Sequence, residues 1–343
     1  MLAVRELTTA DETNWEQFVH ACPTATFFHR LGWRRVIARS YGHRSYYRLA
    51  VRDGQIQGVL PLIQVKSRLF GNALISSGFG VYGGIAATDE AAAAALAADA
   101  ESLGRELSVD YVELRHQVAL PLPGWRVKDS IYATFRREIH SNESANMKLI
   151  PPKTRNRIRR SLKNELHFQN KAEIAAFYPI YAESLRNLGT PVPPQRFFSC
   201  LNEEFPECLD ISVVRGPNGP IAATISFIFR DQIAPYYTGA LPIARPLHAY
   251  DFLYWHVLCR AAERGFRMFD LGRSKYGTGA FDYKLYWGFR PEPLHYQYFL
   301  VRRSSIPDVN PLNPAFRLFV SAWKQLPLKI ANSAGPYLAR QLG

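Results

Sequence analysis

The chain has 343 residues, of which 47% are hydrophobic and 21% are charged. This composition is typical of a globular protein and excludes a largely disordered chain, and the length allows two domains of ordinary size. The formal net charge of +13 favours anionic partners such as nucleic acid, phosphorylated substrates or an acidic membrane face, and it does not choose among them.

The N-terminal sequence and the cysteines indicate a compartment. The N-terminus has no apolar segment of the kind found in signal peptides, and no run of about 18 apolar residues predicts a transmembrane helix. The four cysteines, Cys22, Cys200, Cys208 and Cys259, show no metal-binding spacing and are typical of reduced thiols. We therefore expect a cytoplasmic protein without a metal site.

In chain order, the first half alternates short strands with helices. A Gly- and Ser-rich stretch over 70–84 lacks the Gly-Lys-Ser/Thr sequence of a P-loop, so we interpret it as a loop between sheet and helix. The other elements predicted in this half are a strand over 4–7, a helix from 9, a helix over 31–40, strands over 46–52 and 55–66, a helix over 88–107, and strands over 111–115 and 131–138.

A basic segment follows a predicted linker over 139–150. From Lys148 to Lys163 there are seven basic residues and no acid. Helical periodicity places Ile158 and its apolar neighbours on one side and points the arginines away. A solvated helix face is the ordinary explanation, but the absence of pairing acids favours an anion-binding patch. The patch contains Lys153, Arg155, Arg157, Arg159 and Arg160.

The second half repeats the order of elements predicted for the first. It contains helices over 172–188, 194–205 and 247–264, and strands over 210–215, 220–230, 232–239, 266–271 and 294–301. After the strand over 266–271 the chain turns at Gly272 and presents Arg273, Ser274 and Lys275. Two cations and a hydroxyl on such a turn can bind an anion, although a charged surface turn is the simpler interpretation.

The stretch from 269 to 289 resembles one family closely. It reads F-D-L-G-R-S-K over 269–275, G-T-G over 277–279, F-D-Y-K over 281–284 and W-G-F over 287–289. This pattern resembles the FemAB-like proteins that accompany exosortase/PEP-CTERM systems in bacteria making exopolysaccharide, within the FemABX and acyl-CoA N-acyltransferase (GNAT-fold) superfamily. The resemblance implies an α/β protein with mixed sheets and two tandem GNAT-like domains, 1–145 and 146–303, before a basic amphipathic tail, 304–343.

The resemblance also implies a set of site residues. Lys284 matches a lysine at the transfer centre of FemX-type aminoacyltransferases, where a desolvated cation would stabilise an oxyanion; the alternative is a lysine whose head stays in solvent. Thr190 and Arg196 are loose counterparts of a Thr and an Arg that hold substrate phosphates. The further residues implied in substrate binding are Tyr236, Tyr237, Arg273, Ser274, Lys275 and Tyr283.

The expected function is transfer of an activated acyl or aminoacyl group to an amine of a cell-envelope or exopolysaccharide precursor. No Ser-His-Asp set or paired-carboxylate motif supports a hydrolase. The donor would be a co-substrate, either acyl-CoA, acyl-carrier protein or aminoacyl-tRNA, with no permanently bound cofactor. The loop over 240–246 lacks the acyl-CoA signature of ordinary GNAT enzymes. The alternative is a non-catalytic GNAT-fold module whose basic face binds polysaccharide, membrane or nucleic acid.

The expected partners follow from that function. They are a small-molecule or lipid-linked envelope precursor, a tRNA or carrier protein, and peripheral contact with the inner membrane. The basic tail is amphipathic, so it can lie on a membrane surface or pack on its own domain.

Overall fold

We describe a computed structural model of the chain, which covers residues 1–67, 71–129, 131–306 and 314–343, with side chains of 314–317 left out. The described residues form two compact units. Unit 1 contains Met1–Ile131, the described part of Pro293–Val309, and Ala339–Gly343. Unit 2 contains Tyr132–Glu292 and the described part of Asn310–Leu338.

The α-helices of the described chain are α1 (Glu12–Ala21), α2 (Leu31–Tyr41), α3 (Glu90–Glu106), α4 (Glu143–Leu149), α5 (Pro152–Ser161), α6 (Ile174–Leu188), α7 (Gln195–Glu204), α8 (Ala249–Glu263), α9 (Gly279–Tyr286), α10 (Pro314–Gln325) and α11 (Leu328–Ala339). None of them is long and apolar enough to cross a bilayer.

The strands are β1 (Leu2–Glu6), β2 (Arg44–Arg52), β3 (Gln55–Ser67), β4 (Gly71–Ser76), β5 (Ala86–Ala87), β6 (Tyr111–His116), β7 (Arg126–Lys128), β8 (Tyr132–Thr134), β9 (Arg136–Glu138), β10 (His167–Gln169), β11 (Leu209–Gly216), β12 (Gly219–Phe229), β13 (Gln232–Ala240), β14 (Met268–Asp270), β15 (Ser274–Lys275), β16 (Glu292–Pro293) and β17 (His295–Leu300).

Unit 1 is built on a mixed sheet with the strand order β1-β2-β3-β4-β6-β17-β7. Only the β4–β6 pair is parallel, while the other neighbours along this path run antiparallel. Helix α3 covers one face, because Ala92, Leu96, Ala100 and Leu103 recur at helical spacing and are buried against the strands. The high helix propensity of alanine and the burial of this apolar stripe together explain why the segment forms a long helix.

Strand β17 joins unit 1 although it lies more than 160 residues beyond the other strands of that sheet. It pairs with β6 from His295–His116 to Leu300–Tyr111, and with β7 on its other side. Gln297 is 1% exposed and bonds both the N–H and the carbonyl of Leu120. The predicted domain ends near 145 and 303 therefore differ from the bounds of the two units.

Unit 2 is built on a second mixed sheet with the order β10-β11-β12-β13-β14-β9. Strands β13 and β14 are parallel, and the other neighbours are antiparallel. Helices α6 and α8 pack on this sheet. The core contains Trp255, Trp287, Phe269 and Phe289, all at most 2% exposed.

The predicted fold class is confirmed as mixed α/β with several sheets, and most predicted elements lie within a few residues of the observed ones. Two predictions were wrong. The stretch interpreted as a loop over 70–84 contains β4, whose apolar core is only Ala73-Leu74-Ile75 between a glycine and serines. The predicted linker contains α4, which Asn142 caps by accepting from the N–H of Ala145.

Helix α10 and all of helix α11 except its last residue belong to unit 2. Helix α10 lies against α6, and Val320 approaches Gly189 so closely that a Cβ there would lie 2.5 Å from its Cγ1. Gly189 also ends α6 in the left-handed conformation that glycine adopts without strain. Residues 307–313 of the predicted tail lie outside the described residues.

Candidate functional site

Strands β13 and β14 separate near the middle of the unit 2 sheet. They pair only at Gln232–Met268 and Ile233–Phe269, and β13 then continues to Ala240 paired with β12 and not with β14. Pro235 lies just beyond the last pair and cannot donate to a ladder. On the other side of β13, a β-bulge leaves Tyr236 without an opposite residue between Ser226–Pro235 and Ile225–Tyr237. The end of β14 is thus an opening in the sheet.

Lys284 lies at this end of β14. It comes from α9, whose first turn is capped by Thr278 accepting from the N–H of Phe281. Its Nζ donates to the carbonyls of Gly272, at 2.8 Å, and Arg273, at 3.1 Å. Gly272 makes this turn at φ +68°, in the left-handed region. The side chain is only 9% exposed, so the alternative of a lysine head in solvent does not describe it.

Burial lowers the pKa of Lys284 to about 7, because the charged ammonium loses its hydration. The Asp270 carboxylate opposes this shift, and the Arg273 guanidinium adds to it. Near neutral pH the amine is therefore present in both its charged and its neutral form. In either form two N–H groups serve the two carbonyls. The nitrogen then has one further position, which holds an N–H in the charged ammonium and a lone pair in the neutral amine.

Asp270 is fully buried and forms a hydrogen bond with the same turn. Its carboxylate accepts from the N–H of Gly272 at 2.6 Å, from Nε2 of Gln232 at 3.0 Å and from Oγ1 of Thr134 at 3.4 Å. These bonds connect β14, β13 and β8 at the opening. They hold the Gly272 carbonyl, and hence the Lys284 amine, in place.

Asp251 organises the opposite side of α9. This carboxylate, 3% exposed, accepts from the hydroxyl of Tyr283 at 2.9 Å and from Nε1 of Trp287 at 3.0 Å. It also accepts from Nε of Arg157 at 2.9 Å. Burial beside this carboxylate raises the pKa of Tyr283 well above its usual value. Tyr283 is thus a neutral donor that fixes α9, one residue before Lys284.

The three residues after Gly272 do not form an open turn. Ser274 and Lys275 form β15, paired with Ala133 and Tyr132 of β8, and the Ser274 side chain is buried. The Arg273 guanidinium lies 4.4 Å from the ring centre of Tyr132. Of the three, Arg273 has the direct contact with Lys284. Its carbonyl accepts a hydrogen bond from the Lys284 amine, and its positive charge lowers the pKa of that amine.

The other predicted substrate-binding residues fall into two groups. Tyr237 is buried against Tyr181, Phe197, Phe198 and Phe227, and Tyr236 packs on Tyr237 and Phe227. Thr190 follows α6 and Arg196 lies in the first turn of α7, and both are exposed. Among the described residues, neither Thr190 nor Arg196 makes a side-chain hydrogen bond or ion pair with Lys284.

The basic segment forms α5, and one of its arginines points inward. Arg157 pairs with the buried Asp251 and also donates to Oγ1 of Thr154, so it does not point away as expected. Lys153, Arg159 and Arg160 are exposed and Arg155 is partly exposed. These four make no ion pair within the described part of the chain. The patch that is available to an anion therefore has four cations.

Sequence reasoning did not select Asp251 or Asp270. Asp270 ends a buried strand, and a carboxylate at the end of a strand inside an apolar run is a usable signal. Asp251 lies in the first turn of α8, where an acid is ordinarily explained by the helix dipole. The sequence gives no sign of its partners Arg157 and Tyr283, because they are 94 and 32 residues away along the chain.

One family of known proteins matches this part of the chain. Residues 152–285 match the family described as "Acetyltransferase (GNAT) domain". The match covers less than half of the chain and runs from α5 through Lys284. Comparison with the curated proteins found no match.

Solved structures show the same fold over most of the chain. A crystal structure of FemX is similar with a TM-score of 0.69 and 11% identity, covering 93% of this chain and 100% of that one. A tandem GNAT protein from the clavulanic acid biosynthesis pathway has a TM-score of 0.56 and 11% identity, covering 89% and 100%. The C-terminal domain of a putative lysylphosphatidylglycerol synthetase from Agrobacterium fabrum has a TM-score of 0.55 and 12% identity, covering 84% and 92%. At these identities the likeness concerns the fold, which is that of tandem GNAT and FemX-like proteins.

Proposed function

We propose that this protein is an N-acyltransferase or aminoacyltransferase that moves an activated acyl group to an amine of a cell-envelope or exopolysaccharide precursor. The observation that carries the proposal is the Lys284 amine, buried beside the opening between β13 and β14. The GNAT family match over 152–285 supports transfer of an acyl group. The exopolysaccharide and PEP-CTERM context rests on the sequence resemblance over 269–289.

The chemistry requires a proton to leave the acceptor amine as the new bond forms. The acceptor nitrogen bonds to the acyl carbon, and the bond from that carbon to the oxygen or sulfur of the donor breaks. Neutral Lys284 accepts the proton through its remaining lone pair and returns it to the leaving group. A pKa near the working pH suits such a transfer in both directions. This role fits the lowered pKa better than the permanently charged oxyanion donor that the sequence suggested.

The direct test is turnover by the purified chain. Acyl-CoA, acyl-carrier protein and aminoacyl-tRNA are each incubated with the protein and an amine acceptor, and the products are identified by mass spectrometry. We expect transfer from one donor class, and Lys284→Ala to slow single-turnover transfer by roughly 10²–10⁴-fold, the usual contribution of a general acid–base group.

Two controls make the result specific. Lys148→Ala removes an exposed lysine of α4 and should transfer at the unaltered rate. Lys284→Ala should keep nearly the same melting temperature, because two lost hydrogen bonds are offset by removal of a buried charge. Absence of binding and turnover with all three donors would favour the alternative, a GNAT-fold binding module that uses the exposed cations of α5.

A further inference from the structure

The tail helices carry charge of one sign only. Residues 310–343 contain four basic residues, Arg317, Lys324, Lys329 and Arg340, and no Asp or Glu. Acids make up 29 of the 343 residues, so a segment of this length would ordinarily hold about three. The local positive charge is therefore not balanced within the tail, which favours an anionic partner.

Helix α10 is attached to unit 2 by one side. Trp323 is 4% exposed, and Val320 approaches Gly189 at the end of α6. The carbonyl of Lys324 accepts from the guanidinium of Arg186 of α6. These contacts fix the orientation of α10 and leave its other residues free to face outward.

The outward residues of α10 include large apolar side chains. Leu318 is 75% exposed and Phe319 is 40% exposed, and the exposed Ala322 lies one helical turn after Leu318. Phe319 stacks on the buried Trp323 with ring centres 5.5 Å apart, so its position is defined by the packed side of the helix. A leucine and a phenylalanine held outward side by side are not explained by folding of unit 2.

Helix α11 repeats this arrangement. Ala331 is buried, whereas Ile330 is 52% exposed and Tyr337 is 76% exposed. Lys324 and Lys329 lie on the two helices beside these apolar groups, and both are exposed. Neither lysine forms an ion pair with any residue that the structure describes. Exposed leucine, isoleucine and aromatic side chains with interspersed lysines and no acid are typical of a helix that lies in a membrane interface.

We propose that α10 and α11 form a docking surface for an anionic phospholipid bilayer. Leu318 and Phe319 enter the boundary between headgroups and acyl chains, and Lys324 and Lys329 contact the lipid phosphates. The two contributions are both required, because a lysine pair alone is screened by salt and two apolar side chains alone bind weakly. Such binding would hold the acyltransferase site of unit 2 at the surface where a lipid-linked acceptor resides.

The experiment is co-sedimentation of the full chain with vesicles. One set contains phosphatidylcholine alone, and the other contains phosphatidylcholine mixed with phosphatidylglycerol. We expect binding to the mixed vesicles only, weakened by added salt. Leu318→Asp should weaken this binding by at least about tenfold, because it replaces an inserted apolar side chain by a carboxylate that the negatively charged lipid repels. Lys324→Glu with Lys329→Glu should abolish it.

Matched controls separate the tail from general surface properties. Val118→Asp changes a side chain that is 74% exposed in unit 1, and should bind vesicles as the unaltered chain does. Lys66→Glu with Lys171→Glu changes net charge by the same amount at exposed lysines outside the tail, and should retain most binding. Far-UV circular dichroism and melting confirm that each variant is folded.

Three results would overturn the proposal. The first is equal binding of Leu318→Asp and the unaltered chain, and the second is equal binding to neutral and mixed vesicles. The third is a self-association that Leu318→Asp abolishes without any vesicle binding, which would assign the surface to a second copy of the chain. Because no acyl donor is present, the outcome does not depend on whether the protein proves to be a transferase.

Discussion

One direction around the Lys284 nitrogen is not used by a hydrogen bond to the two carbonyls, and the ring centre of Phe135 lies 5.3 Å from Nζ. The other three positions around the nitrogen are occupied by the Lys284 side chain and by the carbonyls of Gly272 and Arg273. When the fourth position changes from a lone pair to an N–H, Lys284 changes from a proton acceptor to a proton donor.

We expect the rate of single-turnover transfer to rise with pH through about 7 and then to level off. The folded pKa of Lys284 is lowered, so the proton-accepting neutral form is scarce below about 7 and predominates above it. The measurement is a pH profile of the unaltered chain divided by that of Lys284→Ala, which removes the titration of the acceptor amine. A ratio that falls through the same range would assign the ammonium, and thus oxyanion stabilisation, as the active form.

At the scale of elements, Asp251 joins three helices through one carboxylate. It lies on α8 and bonds Arg157 of α5 and Tyr283 of α9, with Trp287 just beyond α9. All three donors approach a carboxylate that is almost without solvent contact. The position of α9 therefore depends on a polar contact as well as on apolar packing.

Asp251→Ala should lower the free energy of unfolding by about 3–5 kcal/mol, the usual cost of removing one partner from a buried ion pair. The Arg157 charge and the polar groups of Tyr283 and Trp287 would lose their acceptor. Chemical denaturation followed by tryptophan fluorescence measures the change. Asp231→Ala, at an exposed turn between β13 and its neighbour β12, should change stability by less than about 0.5 kcal/mol. Equal effects of the two substitutions would show that the Asp251 bonds are unimportant.

The same contacts show what the sequence could predict. Helices such as α3 and α8 follow from apolar spacing within one segment, which is local information. Lys284 was found through a resemblance, which implied a desolvated cation, while a lysine head in solvent stayed open as the alternative. The inward turn of Arg157 was not predictable, because helical spacing alone places it among solvated arginines. Its partner Asp251 is 94 residues away, and only the packing of α5 on α8 brings them together.

At the scale of the molecule, the sheet of unit 1 depends on a strand from near the end of the chain. Strand β17 fills the position between β6 and β7, and Tyr296 also donates from its hydroxyl to the carbonyl of Val81 at 2.7 Å. The sequence predicted a strand at 294–301, and the family resemblance placed it in the second domain, 146–303. Pairing over such a separation leaves no local signal.

Tyr298→Pro should disrupt unit 1 while sparing the sheet of unit 2. The substitution removes an N–H from a strand with neighbours on both sides, which proline does not tolerate. Hydrogen exchange should show lost protection in Tyr111–His116 and retained protection in Leu209–Gly216. Ser305→Pro, at an exposed position after β17, should leave both segments protected. Retained protection of β6 in Tyr298→Pro would show that unit 1 does not require this strand.

The place of β17 in the chain also sets an order of events during synthesis. When residues 1–292 have left the ribosome, most of unit 2 is available to fold, but the first-made unit still lacks an inner strand. Until His295–Leu300 emerges, β6 has no partner on one side, and its six residues are all buried in the folded protein. An unpaired strand edge is a surface through which nascent chains can aggregate. Unit 1 is thus begun first and completed late. We expect the need for chaperones during expression to depend on the time between synthesis of β6 and synthesis of β17.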